Sequence, residues 1–131
     1  MSKKKEQKKS TVKHRKGTLE RQELKRRTRK SPEWAELREL LYNQQNGIDP
    51  VTLRPLVHGN CHHLSQVWQK YDDLSPEKFV LLNARTHETV HFLYDIYKRE
   101  GDIDRVVNEL KDIVLKMVYY TEKDEKEIKN G

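Results

Sequence analysis

Cysteine is almost absent from this chain of 131 residues, which also has only four prolines and five glycines. The single cysteine, Cys61, excludes an internal disulfide framework and any zinc site built from cysteine pairs. No run approaches the roughly 20 apolar residues of a membrane helix, and no apolar segment follows the basic N-terminus. The sequence therefore predicts one domain with neither a membrane span nor a secretory signal, and we expect a cytoplasmic protein.

Charge is abundant but unevenly distributed, because the net charge of +6 conceals two opposite halves. Residues 1–30 carry 14 basic and three acidic residues, a net charge of +11, whereas residues 31–131 sum to −5. Because this segment has few apolar residues, it predicts a largely disordered arm. Its positive charge predicts contact with nucleic acid, since Lys and Arg at phosphates release counterions. The alternative is a solvated tail that only aids solubility. The arm residues assigned to DNA contact are Arg26, Arg27, Arg29 and Lys30.

The body of the chain, residues 31–120, predicts an α+β domain. Ser31 and Pro32 are typical of a helix start, as N-cap and first helical residue, and Gly47 of its end. Residues 48–63 indicate a loop with short strands, and residues 64–68 a further extended segment. A buried strand over 79–82 and a helix from about 85 to 100 follow. We expect the polar tail, residues 121–131, to fray.

A last helix is predicted from about residue 102 to residue 120. Its apolar residues recur at spacings of three and four for almost five turns, as in an amphipathic helix. This apolar side either packs on its own domain or pairs with a second copy, so that a homodimer through the C-terminal helix is a candidate assembly. The apolar residues are Ile103, Val106, Val107, Leu110, Ile113, Val114, Met117 and Val118.

Histidine is the residue type most suited to metal binding and proton transfer, and the chain has six. His87 and His91 lie four apart on the predicted helix, so both rings can reach one divalent ion. Adjacent His62 and His63 point in different directions from an extended backbone, so that one could bind metal while the other faces substrate. That division suits hydrolysis of a phosphodiester, with a metal ion and a histidine base. The alternative for the helical pair is two surface or capping histidines.

The order of these residues resembles a known motif. His62-His63, followed by PEKFVLLNARTHETVH, is similar to the ββα-metal motif of HNH (His-Me finger) nucleases. The spacings of 24 residues from His63 to His87 and four to His91 resemble the nuclease domains of DNase colicins. The upstream stretch QQNGIDPVTLRPL resembles the lead-in of phage and bacterial HNH proteins, with residues 49–52 (DPVT) where many carry a CxxC zinc knuckle. The resemblance covers about residues 43–95.

The resemblance implies a role for each residue of the motif. His63 would be the general base, His62 and His91 metal ligands, and His87 a third ligand or a phosphate contact. Arg85 would bind phosphate, or else be an ordinary surface charge. The implied protein is a DNA endonuclease of a phage or bacterium that nicks as a monomer. It would use one divalent ion (Mg, Mn, Ni or Zn) and no small-molecule cofactor.

One position departs from the family pattern. The middle asparagine, which holds the loop near the general base, is replaced by Lys78, and a lysine has no hydrogen-bond acceptor. Asn60 and Asn83 are candidates for the missing role, and Lys78 could instead contact DNA. Two other functions stay open: a catalytically degenerate HNH-fold protein that binds DNA or RNA, and a basic nucleic-acid adaptor whose histidines are incidental.

Overall fold

The computed structural model describes residues 17–131. By its internal contacts the chain divides into two units, one ending at His87 and the other spanning Glu88–Gly131. The disorder expected for residues 1–16 lies outside the described part. Within it, helices accompany one two-stranded sheet, so the predicted α+β class is confirmed at that level.

Residues 17–30 form a helix, α1, where the sequence predicts a disordered arm. The disorder prediction is wrong here because α1 has tertiary contacts. Thr28 is buried and Leu24 half-buried, and the Arg29 guanidinium donates from Nε to the Tyr71 hydroxyl at 2.7 Å. A short helix is marginal alone in water, so contacts of this kind are what stabilise α1.

The next helix, α2 (Pro32–Gln44), begins as predicted. The Ser31 hydroxyl accepts a hydrogen bond from the Trp34 amide at 3.2 Å, and Pro32 needs no such partner. The turn after α2 contains Gly47 at φ +66°, where an added Cβ would lie 2.7 Å from the Tyr42 ring. Only glycine fits this position, which returns the chain toward the sheet.

The sheet is an antiparallel hairpin of β1 (Asn60–His63) and β2 (Phe79–Leu82). The predicted strand over 79–82 is confirmed, whereas residues 64–68 form no strand and the 15-residue connection contains two short 3-10 helices, Trp68–Lys70 and Pro76–Lys78. One face of the hairpin packs on α2. The core there consists of Trp34, Leu37, Leu41, Phe79 and Leu81, with Leu56, Cys61 and Leu74 packed against it.

The chain continues with α3 (Ala84–Glu100) and α4 (Ile103–Asn130). Gly101, at φ +71°, ends α3, as the sequence predicts, and the Asp102 carboxylate caps α4 by accepting from the Arg105 amide at 3.0 Å. The tail does not fray, since α4 includes ten residues beyond the predicted end. None of the helices described, from residue 17 onward, is long and apolar enough to cross a membrane.

Candidate metal centre

The two histidines that end β1 face opposite sides of the hairpin. Side chains alternate along a strand, and Cys61 and His63 share the side that carries the α2 core. His62 therefore faces the other side, where its ring meets that of His87 edge to face, with centroids 5.0 Å apart. His62 is only 6% exposed, so this contact is buried.

His62, His87 and His91 form one group. Their ring nitrogens include one atom from each residue, and these three atoms all lie within 4.8 Å of one another. The boundary between the two units falls inside α3, but the helix is continuous there, so His87 and His91 keep their spacing of one turn. The structure thus brings together the three residues named from the sequence as ligands.

The donor set of this group fits a divalent transition-metal ion. Imidazole is a common ligand of zinc, nickel and copper, whereas magnesium prefers oxygen ligands. Three protein ligands leave a fourth position open, which is typical of catalytic rather than structural zinc sites. Cys61 and His58 do not join the group among the described residues. Burial raises the pKa of the Cys61 thiol to about 11, so it stays protonated at neutral pH.

His63 lies in an aromatic cluster on the opposite face. Its ring stacks on Tyr71 with centroids 4.0 Å apart, and it also contacts Phe79 at 4.6 Å and Trp34 at 5.8 Å. Ring Nε2 lies 3.2 Å from the Tyr71 main-chain oxygen. A carbonyl only accepts, so Nε2 carries the proton and donates, and Nδ1 of the neutral ring keeps a lone pair.

The surroundings of His63 favour its neutral form. Burial lowers the pKa of His63, and the positive charges of Arg29 and Lys25 lower it further, against the bond to Tyr71. A neutral imidazole is the form that can accept a proton. The structure thus gives the predicted base a suitable protonation state, but on the other face of β1 from the three-histidine group.

The loop between the strands, residues 64–78, is fixed by a lysine. Lys78 Nζ donates to Asp73 Oδ2 at 2.5 Å, and Asp73 Oδ1 accepts from the Ser75 hydroxyl at 2.7 Å. The Leu64 amide also donates to the Lys78 carbonyl at 2.8 Å. Lys78 therefore holds this loop through its ammonium group and its main-chain carbonyl. Its predicted contact with DNA stays a prediction.

Asp49 organises the loop that precedes β1. Its carboxylate is fully buried and accepts from the amides of Val51 at 2.8 Å and Thr52 at 3.1 Å. The second oxygen accepts from the Asn83 amide at 2.9 Å, and Thr86 adds its hydroxyl. Burial raises the pKa of Asp49, but these hydrogen bonds together hold it below its usual range. A buried carboxylate thus closes the loop before β1.

Asn83, one of the two asparagines named as loop-positioning candidates, bonds to the loop that leads into His62 and His63. Its Oδ1 accepts from the Val57 amide at 2.8 Å, and its Nδ2 donates to the Pro55 carbonyl at 3.0 Å. It therefore holds the segment before β1 to the start of α3. Asn60 is exposed in β1, paired in register with Leu82.

A basic face of α1 lies against the aromatic residues of the loop. Arg21 sits over the Trp68 ring at 5.1 Å, and Lys25 and Arg29 lie over the Tyr71 ring at 5.8 Å each. Arg21 and Lys25 are not among the DNA contacts predicted from the sequence, although their spacing of four, continued by Arg29, indicates one helix face. Tyr71 therefore links this basic face to His63.

The other predicted DNA contacts differ in their surroundings. Arg26 pairs with Glu23 at 2.6 Å on the surface of α1, whereas Arg27 and Lys30 are exposed on the same helix. Arg85 is exposed in the first turn of α3. Their contact with DNA stays a prediction.

Comparison with models of protein families, with curated proteins and with solved structures gives no match for this chain. The resemblance to HNH nucleases therefore depends on the residues and spacings quoted above.

Proposed function

We propose that this protein is a metal-dependent endonuclease of the HNH (ββα-metal) type that hydrolyses phosphodiester bonds in DNA. The observation that carries the proposal is the convergence of His62, His87 and His91, whose ring nitrogens lie within 4.8 Å of one another. They are supplied by a hairpin and the helix that follows it, in the order that the family motif has.

The three histidines would hold one divalent ion. A bound ion there supplies Lewis-acid polarisation of a phosphate oxygen and charge stabilisation for the leaving oxygen. Among the ions expected from the sequence, Zn²⁺ and Ni²⁺ suit the imidazole donors best, and Mg²⁺ suits them least. The buried position of His62 excludes water from one side of the group, which strengthens the electrostatic interactions there.

His63 is proposed to take the proton of the attacking water on Nδ1. The bond from Nε2 to the Tyr71 carbonyl fixes the ring and its tautomer, and lets it stabilise the positive charge after proton transfer. His63 follows His62 directly but faces the opposite side of the hairpin. The substrate phosphate would therefore lie beyond the end of β1, where both rings can approach it. The cationic residues Lys25 and Arg29 lie beside Tyr71 and would attract the phosphate backbone.

Plasmid nicking tests the proposal. The purified full chain is incubated with supercoiled plasmid and Zn²⁺, Ni²⁺, Mn²⁺ or Mg²⁺ in separate reactions, with a chelator as the matched negative. We expect conversion to the relaxed circle with at least one ion, and none with the chelator. Plasmid that stays supercoiled with all four ions would refute the nuclease. The His58→Asn variant, changed outside the group, should nick as the original chain does.

The second candidate is a DNA- or RNA-binding protein of the same fold without catalysis. One observation favours it: His63 stacks in the aromatic cluster, on the opposite face from the three-histidine group. Fluorescence anisotropy with labelled DNA and RNA, in parallel with the nicking assay, separates the two functions. Binding together with a metal-induced rise in Tm but no cleavage would support this candidate over the nuclease.

A further inference from the structure

The helix α4 has a long apolar surface that the described chain leaves uncovered. Every residue from Val107 to Asn130 is exposed, whereas Val106 is buried. A helix of 28 residues is about 42 Å long. Because helices in proteins derive most of their stability from packing of an apolar face, this length of uncovered helix indicates a missing partner.

Six of the uncovered apolar residues form one stripe, which we name the α4 seam. Its members are 42–61% exposed and follow the alternating spacing of three and four that is typical of a helix pair. Leu115 is also apolar and exposed but lies on the other side of the helix. The α4 seam consists of Val107, Leu110, Ile113, Val114, Met117 and Tyr120.

We propose that the α4 seam binds the same seam of a second copy of this chain, with the two helices antiparallel. The inference is independent of the proposed nuclease function. It follows from the apolar pattern, from the charges beside the seam and from the area available.

The apolar pattern is self-complementary in one antiparallel register. When Leu110 lies opposite Ile113 of the second copy, the two-fold axis passes between residues 111 and 112. The same register brings Val107 opposite Val114 of the second copy, on one flank of the seam. Each of these contacts occurs twice in the dimer, because the interface is related to itself by the two-fold axis.

The charges on the other flank agree with this register. Glu109 lies opposite Lys116 of the second copy, and Asp102 lies opposite Lys123, so that each acidic residue meets a basic one. A parallel pair would instead bring Glu109 beside Val114. It would also place Asp124 against its own copy in the seam, and like charges there would repel. Charge complementarity therefore favours the antiparallel arrangement.

The area of the seam is sufficient for a weak, reversible pair. A fully buried aliphatic side chain removes about 100 Å² of apolar surface from water, so six half-exposed side chains offer about 300 Å². With about 60% of an interface apolar, each copy contributes about 500 Å² and the pair about 1,000 Å². That is the lower end of the range for specific protein pairs, which predicts a dimer that dissociates on dilution.

Sedimentation velocity of the full chain over a range of about 1–200 µM tests the dimer. We expect a concentration-dependent shift from monomer to dimer. Ile113→Glu should raise the dissociation constant at least tenfold, and Leu115→Glu should leave it unchanged, with equal helicity of both variants by circular dichroism. A chain that stays monomeric at every concentration would overturn the proposal and leave the seam to a different partner. Equal effects of the two variants would also overturn it.

Two further measurements test the orientation. Glu109→Lys alone and Lys116→Glu alone should each weaken the dimer several-fold, whereas the double exchange should restore it. A spin label at Lys126→Cys, in a Cys61→Ala background, should give an interlabel distance of about 45 Å in the antiparallel dimer, from the helical rise per residue. A distance below about 20 Å indicates a parallel pair and would overturn the antiparallel register.

Discussion

The two faces of β1 differ in what surrounds adjacent residues of the same type. His62 faces two further imidazoles from α3, whereas His63 is stacked among the rings of Trp34, Tyr71 and Phe79. The first environment could hold a metal ion, and the second is part of a folded core. A dipeptide of identical residues can therefore have two roles, because strand alternation gives each side chain a different neighbourhood.

The largest effect should come from the three-histidine face. His91→Ala removes one of the three proposed ligands from a half-buried position on α3, so the fold should persist. The affinity for Zn²⁺ or Ni²⁺ should fall by at least about 100-fold, the upper range seen when only an outer contact is lost. Isothermal titration calorimetry measures the affinity, and the metal-induced rise in Tm should disappear with it. His58→Asn is the control, and unchanged affinity of His91→Ala would break the assignment.

On the other face, His63→Phe separates catalysis from packing. The aromatic ring keeps the stacking with Tyr71 but has no basic nitrogen, so we expect nicking to fall by about 10²–10⁴-fold while metal affinity is retained. His63→Ala should lose the packing as well and unfold at lower denaturant concentration than His63→Phe. Nicking by His63→Phe at the original rate would remove the general-base role and leave a purely structural one.

Asp49→Asn tests how the start of α3 is held. An amide cannot replace a buried carboxylate that accepts from Val51, Thr52 and Asn83, because its NH₂ group would face donors. We expect the free energy of unfolding to fall by about 2–3 kcal/mol, measured by urea denaturation. A fall in metal affinity as well would show that Asp49 positions His87, because Asp49 binds the Asn83 amide at the turn before that residue. A stability change below about 0.5 kcal/mol would contradict the assigned hydrogen bonds.

The smallest effect should come from the ion pair in the loop. The Lys78 ammonium and the Ser75 hydroxyl lower the pKa of Asp73 to about 2, below its ordinary value of 3.8. The folded state therefore binds fewer protons than the unfolded state between these values, and this contribution to stability is lost as the pH falls from 3.8 to 2.

Lys78→Met should reduce this acid sensitivity. Urea unfolding at pH values between 2 and 5 should give a shallower dependence for the variant than for the original chain, since Asp73 then loses its main partner. At pH 7 the variant should be only slightly less stable, because the pair is partly exposed. Identical pH profiles of the two chains would show that Lys78 does not hold the loop.

Local patterns in the sequence predicted the parts of the fold that depend on neighbours along the chain. The N-cap at Ser31, the strand over residues 79–82 and the one-turn spacing of His87 and His91 all follow from local geometry. The sequence also contains a signal for the continuation of α4 to Asn130, because Glu122 and Lys126 lie four apart among strong helix formers. The polar composition had suggested a frayed tail instead.

The rest depends on contacts between distant residues. The helix at residues 17–30 is stabilised by contacts that include the bond from Arg29 to Tyr71, 42 residues further on. The role of Asp49 depends on the Asn83 amide, 34 residues away, and no local motif indicates it. The faces of His62 and His63 follow from the register with β2, which pairs His63 with Phe79. The grouping of the three histidines follows from their spacing, whereas the side of β1 that His63 faces depends on this pairing.

The buried carboxylate of Asp49 also has a consequence for metal stoichiometry. Both of its oxygens already accept hydrogen bonds, from the amides of Val51, Thr52 and Asn83. Within residues 17–131, a chain saturated with ion should therefore contain one metal per molecule rather than two. Elemental analysis of the saturated protein then reports directly on the three-histidine site, and a chelator can empty that site without opening the loop before β1.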